Sequence, residues 1–206
     1  LNGQTNNGLT DAFISKFNPD GTKVWTRLIG SANDELGNAL TTGSDGSIYI
    51  AGTTDGNLDG QTNNGNADAF ISKFNPDGTK EWTKLIGSDV EDYGNALTTG
   101  SDGSIYIAGS TFGDLDGQIN IGTADAFISK FDPDGTKQWT KLLGTSSVLS
   151  GEALTTGSDG SIYITGYTFG ALDGQTYNGE ADAFMSKFNS DGTKEWTNVF
   201  GTPYWD

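Results

Sequence analysis

The chain repeats itself with a fixed step. Phe13, Phe70, Phe127 and Phe184 fall 57 residues apart, and Trp25, Trp82, Trp139 and Trp196 keep the same step. The stretch that begins at Asp68 and runs through Thr83 returns with few changes at Asp11, Asp125 and Asp182. Self-similarity on this scale marks a repeat architecture, in which one unit cannot bury its apolar surface alone and stacks on its neighbours to do so.

Each copy reads as two β-hairpins. Ala12 to Phe17 and Lys23 to Ile29, rich in aromatic and β-branched residues, flank Asn18-Pro19-Asp20-Gly21, where Pro presets φ and Gly accepts the left-handed position. These are the third and fourth strands of a module. Asn38 to Thr42 and Ser47 to Gly52, joined by Ser44-Asp45-Gly46, are its first and second. The loop from the second to the third strand, Thr53 to Ala67, is the longest and the most variable between copies. No segment has helical spacing, so the chain reads as all-β with fourteen short strands.

The third strand alternates Phe70, Ser72 and Phe74 against Ala69, Ile71 and Lys73, and the second sets Ile48 and Ile50 against Tyr49 and Ala51. A four-stranded antiparallel sheet that is apolar on both faces must be covered on both, and stacked copies do this. The expected architecture is a β-propeller-type array of four-stranded antiparallel blades. It comprises a leading half blade (1–35) and three full blades (36–92, 93–149 and 150–206).

Composition narrows the function classes. A 33% hydrophobic content with five Trp and eleven Phe supports a folded core, and the 31 Gly sit at fixed turn positions. Neither Cys nor His occurs, which removes disulfides, thiolate ligands and imidazole chemistry. The net charge of −16 repels nucleic acid and anionic membrane surfaces, and no apolar run of about 18 residues is present to insert in a bilayer. Cations, neutral glycans or further copies of the same repeat are the partners such a chain suits.

Gly46-Ser-Ile-Tyr-Ile-Ala-Gly52, Asp68-Ala-Phe-Ile-Ser-Lys-Phe-Asn-Pro-Asp-Gly78 and Glu81-Trp-Thr-Lys-Leu-Ile-Gly87 resemble the bacterial seven-bladed β-propeller (SBBP) repeat along essentially the whole chain. Asp77 to Trp82 also resembles the tryptophan-docking turn of quinoprotein propellers, without their fuller pattern. The resemblance implies large secreted or surface-attached bacterial proteins, and it brings no catalytic residues. The copies are more alike than propeller repeats usually are, which suggests recent duplication.

Four residue sets are candidates for chemistry. The Trp set suits either a sugar-stacking platform or core packing; its place four residues after each turn Gly favours packing. The turn residues Asp20, Asp77, Asp134 and Asp191, with Asp45, Asp102 and Asp159, are explained by Asp-Gly turn chemistry. Asp34, Glu35, Glu91, Asp92 and Glu152, in the loop that leads into each first strand, read as surface charge.

The second-to-third loop is rich in oxygen donors: Asp59, Gln61, Asn63 and Asp68, then Asp116, Gln118, Asn120 and Asp125, then Asp173, Gln175 and Asp182. Hard cations take six to eight oxygens, so these positions are candidate Ca²⁺ ligands; plain Asx turns are the alternative. Asn2 replaces Asp59 in the first copy, and Tyr177 replaces Asn120 in the last.

Near-identical blades do not readily build the one asymmetric pair of acids that a glycosidase needs, so no enzyme activity is expected. The reading is a non-catalytic structural or adhesive module, with a carbohydrate- or calcium-binding module as the alternative, discriminated by aromatics such as Phe112, Phe169 and Tyr177 in the loops. Because the chain opens at Leu1 in the loop that precedes the third strand of a module and stops at Asp206 before another first strand, it is expected to be a window on a longer repeat protein. Otherwise it is expected to complete its half blade from neighbouring copies.

Overall fold

The structure is a computed structural model that describes residues 3–204. Leu1 and Asn2 at one end, and Trp205 and Asp206 at the other, lie outside the described residues, so the Asn2 substitution and both chain ends are known from sequence alone.

All fourteen strands are antiparallel within their sheets. β1 (Ala12–Phe17) and β2 (Lys23–Ile29) form a two-stranded sheet. β3 (Glu35–Thr42), β4 (Ile48–Thr54), β5 (Asp68–Phe74) and β6 (Lys80–Ile86) form a four-stranded sheet in chain order. The same order recurs in β7 (Asp92–Thr99), β8 (Ile105–Thr111), β9 (Asp125–Phe131) and β10 (Lys137–Leu143). It recurs again in β11 (Leu149–Thr156), β12 (Ile162–Thr168), β13 (Asp182–Phe188) and β14 (Lys194–Phe200). These are the four-stranded sheets of a β-propeller.

The first strand of each module is longer than the sequence suggests. β3 begins at Glu35 rather than Asn38 and carries a bulge between Gly37 and Ala39, a device that bends a strand and breaks its two-residue alternation. The bulged residue has a purpose here: Asn38 Nδ2 donates to Gly94 O of the next sheet at 2.9 Å, and Asn95 Nδ2 donates to Gly151 O at 3.0 Å.

The core lies between sheets, not inside any one of them. Ala12, Ile14 and Trp25 of the half module pack with Ile50, Phe70 and Phe74 of the sheet that follows. Tyr49, Ala51, Ala69 and Ile71 of that sheet pack with Leu97, Ile107, Phe127 and Phe131 of the next. A third cluster repeats the arrangement between the last two sheets. Stacking therefore decides burial: all seven residues of β5 are buried, whereas the same Ala-Phe-Ile-Ser-Lys-Phe sequence in β1 leaves Phe13 and Phe17 exposed.

Polar contacts keep the same period. Trp25 Nε1 donates to Pro76 O and Trp82 Nε1 to Pro133 O, each at 3.3 Å, so each indole lies over the Pro-Asp-Gly turn of the next module. Thr99 Oγ1 reaches Thr42 O at 3.0 Å, and Thr156 Oγ1 reaches Thr99 O at 2.9 Å. Trp25, Trp82 and Trp139 are thus docked against the turn of the next module, whereas Trp196 of the last module is exposed.

Candidate functional site

The second-to-third loops emerge where one sheet meets the next, and they carry the oxygen donors singled out above. Leu58, fully buried, anchors the first of these loops and exchanges backbone hydrogen bonds with Gln61. Between them Asp59 (φ 52°) and Gly60 (φ 77°) both occupy the left-handed region. Asp is one of the few L-residues that accepts this conformation, and Asp116 and Asp173 repeat it.

That turn aims the Asp59 carboxylate at the outer strand β6. One oxygen is ion-paired with Lys80 and the other accepts the Thr83 hydroxyl at 2.5 Å. Asp116 does the same with Lys137 and Thr140, and Asp173 engages Lys194 and Thr197 through Oδ2 alone. Burial alone would raise the Asp173 carboxyl, but the Lys194 and Thr197 hydrogen bonds and the Lys194 charge outweigh it and hold it below its ordinary range. Each acid is a strut between loop and strand.

The Asn side chains bond within the loop. Asn63 accepts Gly65 N at 2.9 Å and donates to Thr54 O at 3.0 Å, and Asn120 makes the corresponding bonds to Gly122 and Thr111. Gln61, Gln118 and Gln175 take part through backbone hydrogen bonds to Leu58, Leu115 and Leu172. Among the described residues no group of three or more acidic side chains is placed to hold a metal ion. Asp59 and Asp68 belong to separate bonding networks.

The acids at the start of the third strand form a second, buried row. Asp68, Asp125 and Asp182 each accept through Oδ2 the backbone N–H of the residue four positions earlier, which caps the loop. The Oδ1 atoms of Asp68, Asp92, Asp125 and Asp182 have no hydrogen-bond partner among the described residues. Burial pushes Asp68 and Asp125 up to about 6, against a backbone hydrogen bond in each case that pulls the other way. The carboxylate of Asp68 is packed directly on Gly87, where a Cβ would fall 2.1 Å from Oδ1, and Gly144 and Gly201 provide the same close approach for Asp125 and Asp182.

Two acids expected on the surface are inside. Glu35 and Asp92 are fully buried at the head of the first strand, and Leu149 holds the equivalent place in the last module. Glu35 accepts Ser31 N at 2.6 Å and the Ser31 and Thr54 hydroxyls, while Asp92 accepts Ser88 N at 2.6 Å and the Ser88 hydroxyl at 2.7 Å. The signal was the serine four residues ahead in Ser31-Ala-Asn-Asp-Glu35 and Ser88-Asp-Val-Glu-Asp92, which folds a loop back onto the acid. Asp34 and Glu91 are partly exposed and Glu152 is exposed.

The loop aromatics do pair. Tyr93 and Phe112 meet edge to face at 6.0 Å, and Tyr167 and Phe169 at 5.6 Å. Tyr93, Phe112 and Tyr167 keep more than a third of their surface exposed. The first full module has Leu36 and Asp55 where the second has Tyr93 and Phe112, and Tyr177 is half-buried in the last loop.

Comparison with known proteins agrees with this geometry. Residues 24–59 and 138–172 match the SBBP β-propeller repeat, and residues 43–81 match a β-propeller domain of unknown function, DUF5122. The chain is built of β-propeller repeats. It is 29% identical over 149 residues to the regulatory protein FlaEY of Caulobacter vibrioides, a match covering 67% of this chain and 16% of that protein. An uncharacterized WD repeat-containing protein of Acanthamoeba polyphaga mimivirus is 26% identical, with 90% of this chain and 16% of the relative covered. The chain thus spans about a sixth of the length of these curated relatives. A crystal structure of a Bacteroides caccae protein of unknown function shares the fold, with a TM-score of 0.53 at 13% identity, over 98% of this chain and 58% of that one.

Proposed function

We propose that this β-propeller repeat segment is a non-catalytic structural or adhesive module of a bacterial secreted or cell-surface protein, in which modules build length and surface and associate through their end faces. The observation that carries the reading is the recurrence of the same inter-sheet contacts at the 57-residue step. Asn38 on Gly94, Asn95 on Gly151, Thr99 on Thr42 and Thr156 on Thr99 are one interface used repeatedly. In a repeat array, stability is a sum of unit and neighbour terms, so modules are interchangeable lengths of scaffold.

Excising residues 93–149, which keeps the 57-residue register, tests this. The shortened chain is expected to fold cooperatively with a lower melting temperature. Global unfolding on excision, or equal tolerance of a deletion that breaks the register, would overturn the reading.

A second reading, a glycan-binding module, draws on the half-exposed edge pairs Tyr93–Phe112 and Tyr167–Phe169, since aromatic faces suit sugar rings. A glycan array run with and without calcium separates the two. The scaffold reading expects no saturable binding.

A further inference from the structure

The middle module, 93–149, carries an apolar patch that its neighbours lack, set among acids that have no basic partner. We propose that its loop face docks a basic, apolar peptide segment of a partner protein, which seats aliphatic side chains on Ile119, Ile121 and Phe112 and lysines or arginines against Glu91 and Asp114. Sheets lie on both sides of this module, with β7 packed against β3 and β11. The patch is therefore remote from the chain ends, and the inference is independent of end-to-end association.

The loop does not need its isoleucines. Ile119 and Ile121 are 72% and 62% exposed, and the equivalent positions are Thr62 and Asn64 in one neighbour and Thr176 and Asn178 in the other. The frame beneath is the same with either set in the first two full modules. Leu115 and Gln118 exchange backbone hydrogen bonds as Leu58 and Gln61 do, and Asn120 bonds Thr111 and Gly122 as Asn63 bonds Thr54 and Gly65. Isoleucines held in water on a frame that accepts threonine and asparagine gain favourable burial only when something covers them. Aromatic rings come to the same place: Asn120 Nδ2 donates to Thr111 O at 3.2 Å, beside Phe112, whose ring meets Tyr93 edge to face. Asp55 stands at the Phe112 position of one neighbour and Ser150 at the Tyr93 position of the other, so only the middle module has all four apolar groups.

Charge selects the partner. All eleven Lys and Arg lie on third or fourth strands, and none lies in a loop. Asp114 accepts Asn120 N at 2.9 Å, which places a carboxylate at the root of the isoleucine pair. Glu91 adjoins Phe112, whose N–H donates to Glu91 O at 3.0 Å. Burial first, then the charges of Glu91 and Asp55, raise the Tyr93 hydroxyl, so these carboxylates act on that ring. Glu91 takes a hydrogen bond from Asn66 at 3.0 Å, but among the described residues none of Asp55, Glu91 and Asp114 is in an ion pair. A second copy of this chain would bring like charges onto these acids, and a phosphate-bearing surface would be repelled. Ammonium and guanidinium groups instead pair with carboxylates and lie over aromatic faces. An apolar patch rimmed by one sign of charge thus fits a segment in which Lys or Arg stands beside aliphatic residues.

The probe is a displayed library of random peptides, panned on the intact chain and depleted on the double variant Ile119→Thr, Ile121→Asn. Both substitutions install residues found in the adjacent modules, so this variant is expected to keep the melting temperature of the natural chain. The recovered peptides are expected to carry Lys or Arg beside aliphatic residues. In fluorescence anisotropy such a peptide should bind the intact chain 1:1 and the double variant at least tenfold more weakly. Asp114→Asn, which copies Asn57 of the preceding module, combined with Glu91→Gln should weaken binding and reduce its salt dependence. Asp77→Asn with Asp134→Asn, the same charge change in turns at the opposite end of the strands, should leave the affinity unchanged. No enrichment over the double variant, enriched peptides without an excess of Lys and Arg, or equal loss of affinity in the local and distant charge variants would overturn the inference. Isoleucine-dependent binding to neutral phosphatidylcholine vesicles or to a glycan, with no such peptide recovered, would overturn it in favour of a lipid or a sugar.

Discussion

Acidification from pH 7.5 to 5 should stabilise this protein, although most folded domains gain nothing comparable over that range. Burial raises the Asp68 and Asp125 carboxyls from 3.8 to about 6. A carboxyl raised in the folded state binds its proton more tightly there than in the unfolded chain. Its stabilising contribution is full below the unfolded value and disappears as pH rises through the folded one. Between pH 7.5 and pH 5 linkage yields about 1.4 kcal/mol per carboxyl, hence about 3 kcal/mol for the two acting independently. For a domain of this size that is roughly 6–12 °C in melting temperature. Asp92, raised by burial, adds in the same direction. The turn acids oppose it only at lower pH: hydrogen bonds from Thr79 and Thr136 hold Asp77 and Asp134 below their ordinary value, and that contribution is lost only on acidification below about 4. Relief of the −16 net charge also favours the folded state in acid, but salt screens it. The assay is thermal unfolding by circular dichroism at both pH values in 0.5 M salt (roughly a 4–5 Å screening length), on the natural chain and on Asp68→Asn, Asp125→Asn and the double variant. Each single variant is expected to lose about half of the increase. A natural chain that melts lower at pH 5, or a double variant that keeps the full increase, would refute the reasoning.

Gly21 and Gly78 sit in the same Asn-Pro-Asp-Gly turn at φ 82° and 84°, but a Cβ at Gly21 meets nothing within 4 Å while one at Gly78 falls 2.8 Å from the Trp25 ring. Gly21→Ala should therefore cost about 1 kcal/mol for the left-handed backbone alone, and Gly78→Ala a further 1–3 kcal/mol or so for displaced packing, read from urea unfolding; equal costs would mean that the Trp docking adds nothing. With Asp59, Asp116 and Asp173 engaged by lysines, millimolar calcium and chelator should give the same melting curve, and a rise of several degrees in calcium would show that those struts are exchanged for a metal.

The hairpins were legible because their determinants are local. Pro presets φ, Gly takes positive φ, and flanking alternation fixes the register, so Ala12–Phe17 and Lys23–Ile29 match the sequence reading residue for residue. The first strand was only partly legible. The bulge between Gly37 and Ala39 breaks the alternation, and the reason for it, the Asn38 bond to Gly94, is 56 residues away. Glu35 and Asp92 look like solvated acids beside Asp34 and Glu91, and only the serine four residues ahead of each marks the carboxylate that the loop will enclose. The loop oxygens stand out by composition, but the side chains that engage Asp59 lie on the outer strand: Lys80 and Thr83 stand 21 and 24 residues beyond it. Composition shows donors; only the fold shows that they are already paired.

Multi-angle light scattering over a wide concentration range tests the central claim most directly. If the end faces that expose Phe13, Phe17 and Leu40 on one side and Met185, Trp196 and Phe200 on the other are association surfaces, the mass should rise with concentration to multiples of 21.7 kDa, and Phe13→Asp should shift the rise to higher concentration. A mass fixed at 21.7 kDa throughout, with β1 amides protected in the monomer, would contradict the account.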